Sequence, residues 1–151
     1  MVYGWGNPIF GDDAAGIQAA KQLKNCSIPS TVEVSWSSSS PFSVAEGFLD
    51  YEQAILIDAF VDTDRKDGEI IRFNGLGNQT PVRMLTPHTA SIIEVLKVYQ
   101  ELYPLRFPSR VVVYGLCISN PEISSELTYG IETGITNIIR LIQHELAGES
   151  A

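Results

Sequence analysis

Strand and helix patterns alternate along this chain, and the alternation predicts an α/β fold. The expected form is a three-layer α/β/α sandwich on a mostly parallel, twisted sheet of about five strands. Three observations carry the prediction. Ala54-Ile55-Leu56-Ile57 and Val111-Val112-Val113-Tyr114 are continuous apolar runs, the pattern of parallel strands covered by helices on both faces. Between such runs, apolar residues recur at helical spacing, as in Ala14, Ile17, Ala20 and Leu23. No repeat and no Gly/Pro-rich linker divides the 151 residues, so a single domain over 1–151 is expected at ~100–200 residues per domain.

Taken in order, the first strand has only Met1-Val2-Tyr3 before Gly4, against the ~5–6 residues of an ordinary strand. The expectation is a displaced start or a trimmed chain, with a shortened strand and lower stability. The first helix carries the Ala14–Leu23 stripe, with Lys21 and Lys24 at its end, where the helix dipole favours cations. Val32, Val34 and Trp36 alternate with Glu33 and Ser35, as in a strand with one wetter side. Ser40 before Pro41 reads as N-cap and first helical residue, opening a helix expected to bury Phe42, Ala45 and Leu49. The Ala54–Ile57 strand follows, then a turn-rich stretch from Asp62 to Gly68, then a short strand with Ile70, Ile71 and Phe73. Ile92, Leu96 and Tyr99 form a helical stripe that stops before Pro104. After the Val111–Tyr114 strand, the last helix is marked by Leu127, Ile131, Ile135, Ile138, Ile142 and Leu146.

Composition narrows the function. Apolar residues make up 44%, enough to build a core and too many for wholesale disorder. Ten Lys plus Arg against 18 Asp plus Glu give a net charge of −8. A nucleic-acid binder or an anionic-membrane binder needs a basic face, so both are disfavoured. No apolar run approaches the ~18 residues of a membrane span, and the start lacks the pattern of a signal peptide. Cys26 and Cys117 are isolated, which excludes a disulfide framework or a CxxC metal site; both are expected to be buried or idle. No G-x-S-x-G elbow occurs, so Ser38 to Ser40 read as loop and cap rather than nucleophiles. The reading is an acidic cytoplasmic domain.

The loop Gly4-Trp5-Gly6-Asn7-Pro8-Ile9-Phe10-Gly11-Asp12-Asp13 joins the first strand to the first helix. A dinucleotide fingerprint requires G-x-G-x-x-G, and here the third glycine comes two residues late. Asp12 and Asp13 also occupy the helix N-terminus where a phosphate would dock. Two charges ~4 Å apart repel by ~4 kcal/mol at an effective dielectric of 20, so the pair rejects an anion and attracts a cation. One Asp suffices for ordinary capping, worth ~1 kcal/mol; the second is left over. Asp58 ends the Ala54–Ile57 run and His88 opens the helix carrying Ile92. His144, between Gln143 and Glu145, is expected to face solvent. Carboxylates and an imidazole at strand-to-helix edges make a partial coordination sphere for a divalent transition ion, with nickel, zinc and iron suited to imidazole. By spacing alone, capping and metal binding both remain open for these residues.

The same residues carry a resemblance. Gly6-Asn7, Gly11-Asp12-Asp13 and Gly16, then Ile57-Asp58-Ala59, then Pro87-His88 resemble the motifs of the [NiFe]-hydrogenase maturation endopeptidases over nearly the whole chain. The resemblance implies that Asp13, Asp58 and His88 are the metal-contacting and catalytic residues. It implies an endopeptidase that removes the C-terminal extension of the hydrogenase large-subunit precursor, a monomer whose nickel arrives on the substrate; other divalent transition metals could substitute in crystals. One departure is the stretch Trp36-Ser37-Ser38-Ser39-Ser40, where many members have an Asp-Gly-Gly-Thr-like loop, so a different partner preference is expected. The competing readings are a non-catalytic nickel-protein checkpoint of the same fold and a flavodoxin-like small-molecule binder. The acid pair at Asp12 and Asp13 argues against the second.

Overall fold

The computed structural model describes residues 1–77 and 91–148. Its elements are β1 (Val2–Trp5), a 3-10 turn (Gly11–Ala14), α1 (Ala15–Leu23), β2 (Val34–Ser37), α2 (Pro41–Glu46), β3 (Gln53–Val61), β4 (Ile70–Asn74), α3 (Ile92–Leu102), β5 (Arg110–Ile118) and α4 (Tyr129–Leu146). The strands form one sheet in the order β2-β1-β3-β5-β4. All neighbours are parallel except β4, which runs antiparallel along the outer side of β5. This is the α/β architecture expected from the alternation of strand and helix.

Side chains alternate across each strand, and both faces are buried. Ile55 and Ile57 of β3, with Val112, Tyr114, Leu116 and Ile118 of β5, pack under α1 and α4. Ala54, Leu56 and Phe60, with Val111 and Val113, pack under α2 and α3. Double burial is why these strands read as unbroken apolar runs rather than as an alternating pattern. The stripe on α4 is as expected: Ile131, Ile135, Ile138 and Ile142 are all buried, and Ile139 joins them.

Three local expectations change. In α2 the buried residues are Pro41, Val44 and Ala45, with Phe48 just beyond the helix, while Phe42 is 56% exposed. Phe42 lies roughly 110° around the helix from the centre of that face at 3.6 residues per turn. Pro41 at the first helical position sets this phase, and Ser40 caps the helix as expected, accepting from the Ser43 N–H at 3.3 Å. The described part of α3 begins at Ile92, after the position where His88 was expected to open it. Its start is a reciprocal capping box in which the Ser91 hydroxyl accepts from the Glu94 N–H and the Glu94 carboxylate from the Ser91 N–H. Finally, β3 continues past Asp58 to Val61.

The topology singles out one place. β1 leads through α1, on one face, out to β2, whereas β3 leads on to β4 and β5, with α3 on the other face, so the chain leaves the neighbouring strands β1 and β3 in opposite directions along the sheet. In open α/β sheets, the crevice beyond the strand ends at such a switch point is where ligands bind. Among the described residues, no helix is long and apolar enough to cross a membrane.

Candidate functional site

β1 pairs with β3 only from Val2 to Gly4, opposite Ile55 to Ile57. Asp58 is the next residue of β3. It therefore sits where the neighbouring strand peels away, and β3 goes on paired with β5 alone, out to Val61 and Ile118. Alternation along β3 puts Asp58 on the same face as Leu56 and Phe60, the side covered by α2 and α3.

The loop from β1 to α1 folds back over this opening. Its shape depends on close backbone approaches. A Cβ on Gly16 would stand 2.3 Å from the carbonyl oxygens of both Ile57 and Trp5, and one on Gly6 would stand 2.1 Å from the Asp13 carbonyl oxygen. Asn7 locks the turn: its side-chain oxygen accepts from the Ile9 N–H at 3.1 Å, and its own N–H donates to the Asp13 carbonyl at 3.2 Å. Asp13 is thus carried to the same edge of the sheet as Asp58.

Among the described residues, the buried charged side chains are Asp12, Asp13 and Asp58, all at this edge, and none of the three forms an ion pair with another described residue. Burial raises the Asp13 carboxyl to about 6, opposed in part by the Asn7 N–H. Asp58 is raised well above the carboxylate range, first by burial and then by the negative charge of Asp13; the Ala59 N–H, donating to Oδ1 at 2.8 Å, offsets only part of this. Two mutually repelling acids out of water create a strong demand for a cation or a proton.

Asp12 has a different task from the one its position in sequence suggests. The 3-10 turn has no side-chain cap. Asp12 instead reaches across 116 residues to Thr128, accepting from its N–H at 2.7 Å and its hydroxyl at 2.9 Å. Thr128 is the N-cap residue of α4 and makes no side-chain cap of its own. Nothing in the local pattern around Thr128 marks this contact, so only the tertiary structure reveals it.

The serine run lies at the same edge and is held by aromatic residues of β1. The Trp5 indole N–H donates to the Ser39 carbonyl at 2.8 Å, and the Tyr3 hydroxyl lies 2.8 Å from Ser37 Oγ. Cys117 is buried and its thiol is pushed up to about 11, chiefly by desolvation; Cys26 is half-buried. His144 is exposed on α4.

The structure therefore brings Asp13 and Asp58 together, while His88 lies outside the described residues. Among the described residues, no group of three or more His, Cys, Asp or Glu is arranged to hold a metal ion. The chain turns back after α3 at the strand starts, where Arg106 and Ser109 meet Asp50 and Glu52. The other end of α3, at Ser91, accordingly points toward the edge that holds Asp58.

The fold is one already known from solved structures, that of hydrogenase maturation endopeptidases. The chain is similar to the hydrogenase maturating endopeptidase HybD from E. coli, with a TM-score of 0.74 and 18% identity over 97% of this chain and 91% of that one. It is similar to the [NiFe] hydrogenase maturation protease HybD from Thermococcus kodakarensis, with a TM-score of 0.71 and 18% identity over 96% and 97% of the two chains. The hydrogenase 2 maturation peptidase from a Thaumarchaeota archaeon matches at a TM-score of 0.69 and 21% identity over 99% and 97%. No family model and no curated protein matches the chain.

Proposed function

We propose that this protein is an endopeptidase that removes a C-terminal extension from the nickel-loaded large-subunit precursor of a [NiFe] hydrogenase. Asp13, Asp58 and His88 contact the nickel ion that the substrate carries, and this contact is the recognition signal. The observation that supports the reading most is the pair Asp13 and Asp58, both buried and with no ion pair to another described residue. The proteins of the same fold named above are maturation proteases of hydrogenases. Hard carboxylate oxygens and one imidazole suit a divalent transition ion and leave positions open for the precursor's own ligands.

Chemically, the pair acts as a docking point. Approach of the substrate's cation relieves the repulsion between the two acids, so the ion is drawn to the switch point and the adjoining peptide is held in register. Correct alignment of reacting groups lowers a barrier by ~7–11 kcal/mol. The test is incubation with a tailed, nickel-loaded precursor, with the product weighed by mass spectrometry. Loss of the extension with the wild type, and its retention with Asp58→Asn and His88→Ala, is the expected result. Both variants cutting at the wild-type rate would overturn the assignment of these residues, and tight binding without any cleavage would favour a checkpoint instead.

A further inference from the structure

We infer that Asp12 is a positioning residue for Asp13, clamping the loop that carries it to the start of α4. The inference deepens the proposed function, since it rests on Asp13 as a metal contact.

Asp12 is buried and spends both carboxylate oxygens on one distant partner, Thr128. The contact does not stand alone. Gly11 N–H donates to the Ser124 carbonyl at 2.9 Å, Ser124 N–H donates to the Ile9 carbonyl at 3.1 Å, and Phe10 and Ser124 form a parallel bridge. Ser124 in turn accepts from the Glu126 N–H at 3.0 Å. The segment from Ser124 to Thr128 is therefore laid alongside Ile9 to Asp12 like a short extra pair of strands. Gly11, at φ +45, lets the two segments approach closely: a Cβ there would stand 2.9 Å from the Glu126 carbonyl oxygen.

The consequence for Asp13 is geometric. Its N–H donates to the Phe10 carbonyl and its own carbonyl accepts from Asn7, so its backbone moves with the loop. Asn7 and Phe10 belong to that same loop; the hydrogen bonds to the segment on the far side come through Ile9, Gly11 and Asp12. Asp12 makes two of these hydrogen bonds from a single side chain, which makes it the largest of the side-chain ties. Removing partners that orient metal ligands ordinarily weakens metal binding 10- to 100-fold.

The experiment compares Asp12→Ala, Asp12→Asn and the wild type by calorimetric titration with Cd²⁺ and by amide hydrogen exchange. An asparagine keeps an acceptor for the Thr128 N–H, and its amide group can donate to a rotated Thr128 hydroxyl. Asp12→Ala is expected to bind Cd²⁺ about tenfold more weakly and to speed exchange at the Asp13 amide, with Asp12→Asn near wild type in both. A folded Asp12→Ala protein that binds and exchanges like the wild type would overturn the inference. So would an Asp12→Asn protein as weak as Asp12→Ala, because the charge would then be acting on the ion directly. Should Asp12→Ala fail to fold, Thr128→Val removes the hydroxyl contact alone; faster exchange at Asp13 supports the clamp and unchanged exchange refutes it. Absence of Cd²⁺ binding by the wild type would count against the proposed function, while the exchange measurement still reads the clamp.

Discussion

Gly16 of α1 lies against the carbonyl of Ile57, so close that a Cβ would stand 2.3 Å from that oxygen. Ile57 is the residue before Asp58, and Gly16 follows Asp13 by three. The approach of these two residues is what puts the two acids at one edge. Gly16→Ala is expected to destabilise the protein by about 1–3 kcal/mol through overpacking, because the obstacle is backbone and cannot swing aside. Urea unfolding measures this, and an unchanged midpoint would mean that α1 can lift without cost.

The buried acids make stability depend on pH. Both Asp13 and Asp58 have folded-state values raised above the ordinary carboxylate range. Such groups contribute stability that is fully present below the unfolded value and is lost as pH rises through the folded value. For Asp13 the window runs from about 4 to just above 6, and raising it from 3.8 to about 6 corresponds to about 3 kcal/mol. Asp58→Asn removes one charge of the pair and keeps an acceptor for the Ala59 N–H. The expected result in metal-free buffer is a Tm above wild type whose margin widens between pH 4 and pH 7. A margin that is constant with pH would show that Asp58 binds the same number of protons folded and unfolded, so that burial does not raise its carboxyl.

The serine run offers a cleaner separation of structure from chemistry. Ser40 caps α2 through the Ser43 N–H, and Ser40→Ala is expected to cost about 1 kcal/mol in chemical denaturation. Processing of precursor by the folded variant is expected to match the wild type. A large loss of processing with full stability would instead assign a chemical role to this hydroxyl.

The legible parts of this molecule are those in which one residue's neighbours in sequence are also its partners in space. The strands through Ile55 and Val112 announce themselves because burial on both faces leaves no room for polar residues. Ser40-Pro41 specifies a helix start within two positions, whereas the Ser91 and Glu94 capping box that starts α3 is seen only in the structure. The isoleucine stripe of α4 is visible because a helix repeats every 3.6 residues. Phe42 was misplaced because a six-residue helix is too short for a stripe to set its phase. The end of β3 was misplaced because Asp58 interrupts the apolar run without interrupting the hydrogen bonding to β5.

The site was legible in part. The pair Asp12 and Asp13, together with Asp58, stood out by type and by position beside the first helix and an apolar strand run, the resemblance picked Asp13 from the pair, and the fold brings Asp13 and Asp58 to one edge. What local pattern could not distinguish is the division of labour between Asp12 and Asp13. Adjacent residues with identical side chains differ only in direction, and direction is set by Gly11, Asn7 and the packing of α4. Thr128 carries no local mark of its role.

By itself, then, the sequence determined the layers: which runs become strands, which faces they bury, where α2 begins, and that acids rather than a phosphate-binding loop crown the first helix. These follow from periodicity and capping, which act over a few residues. The tertiary structure decided the order of the strands, the point where β1 leaves β3, the mutual repulsion of Asp13 and Asp58, and the use of Asp12 as a tie to Thr128. Those depend on which surfaces meet after the chain has folded, and residues 116 positions apart leave no trace of their contact in the pattern of either neighbourhood.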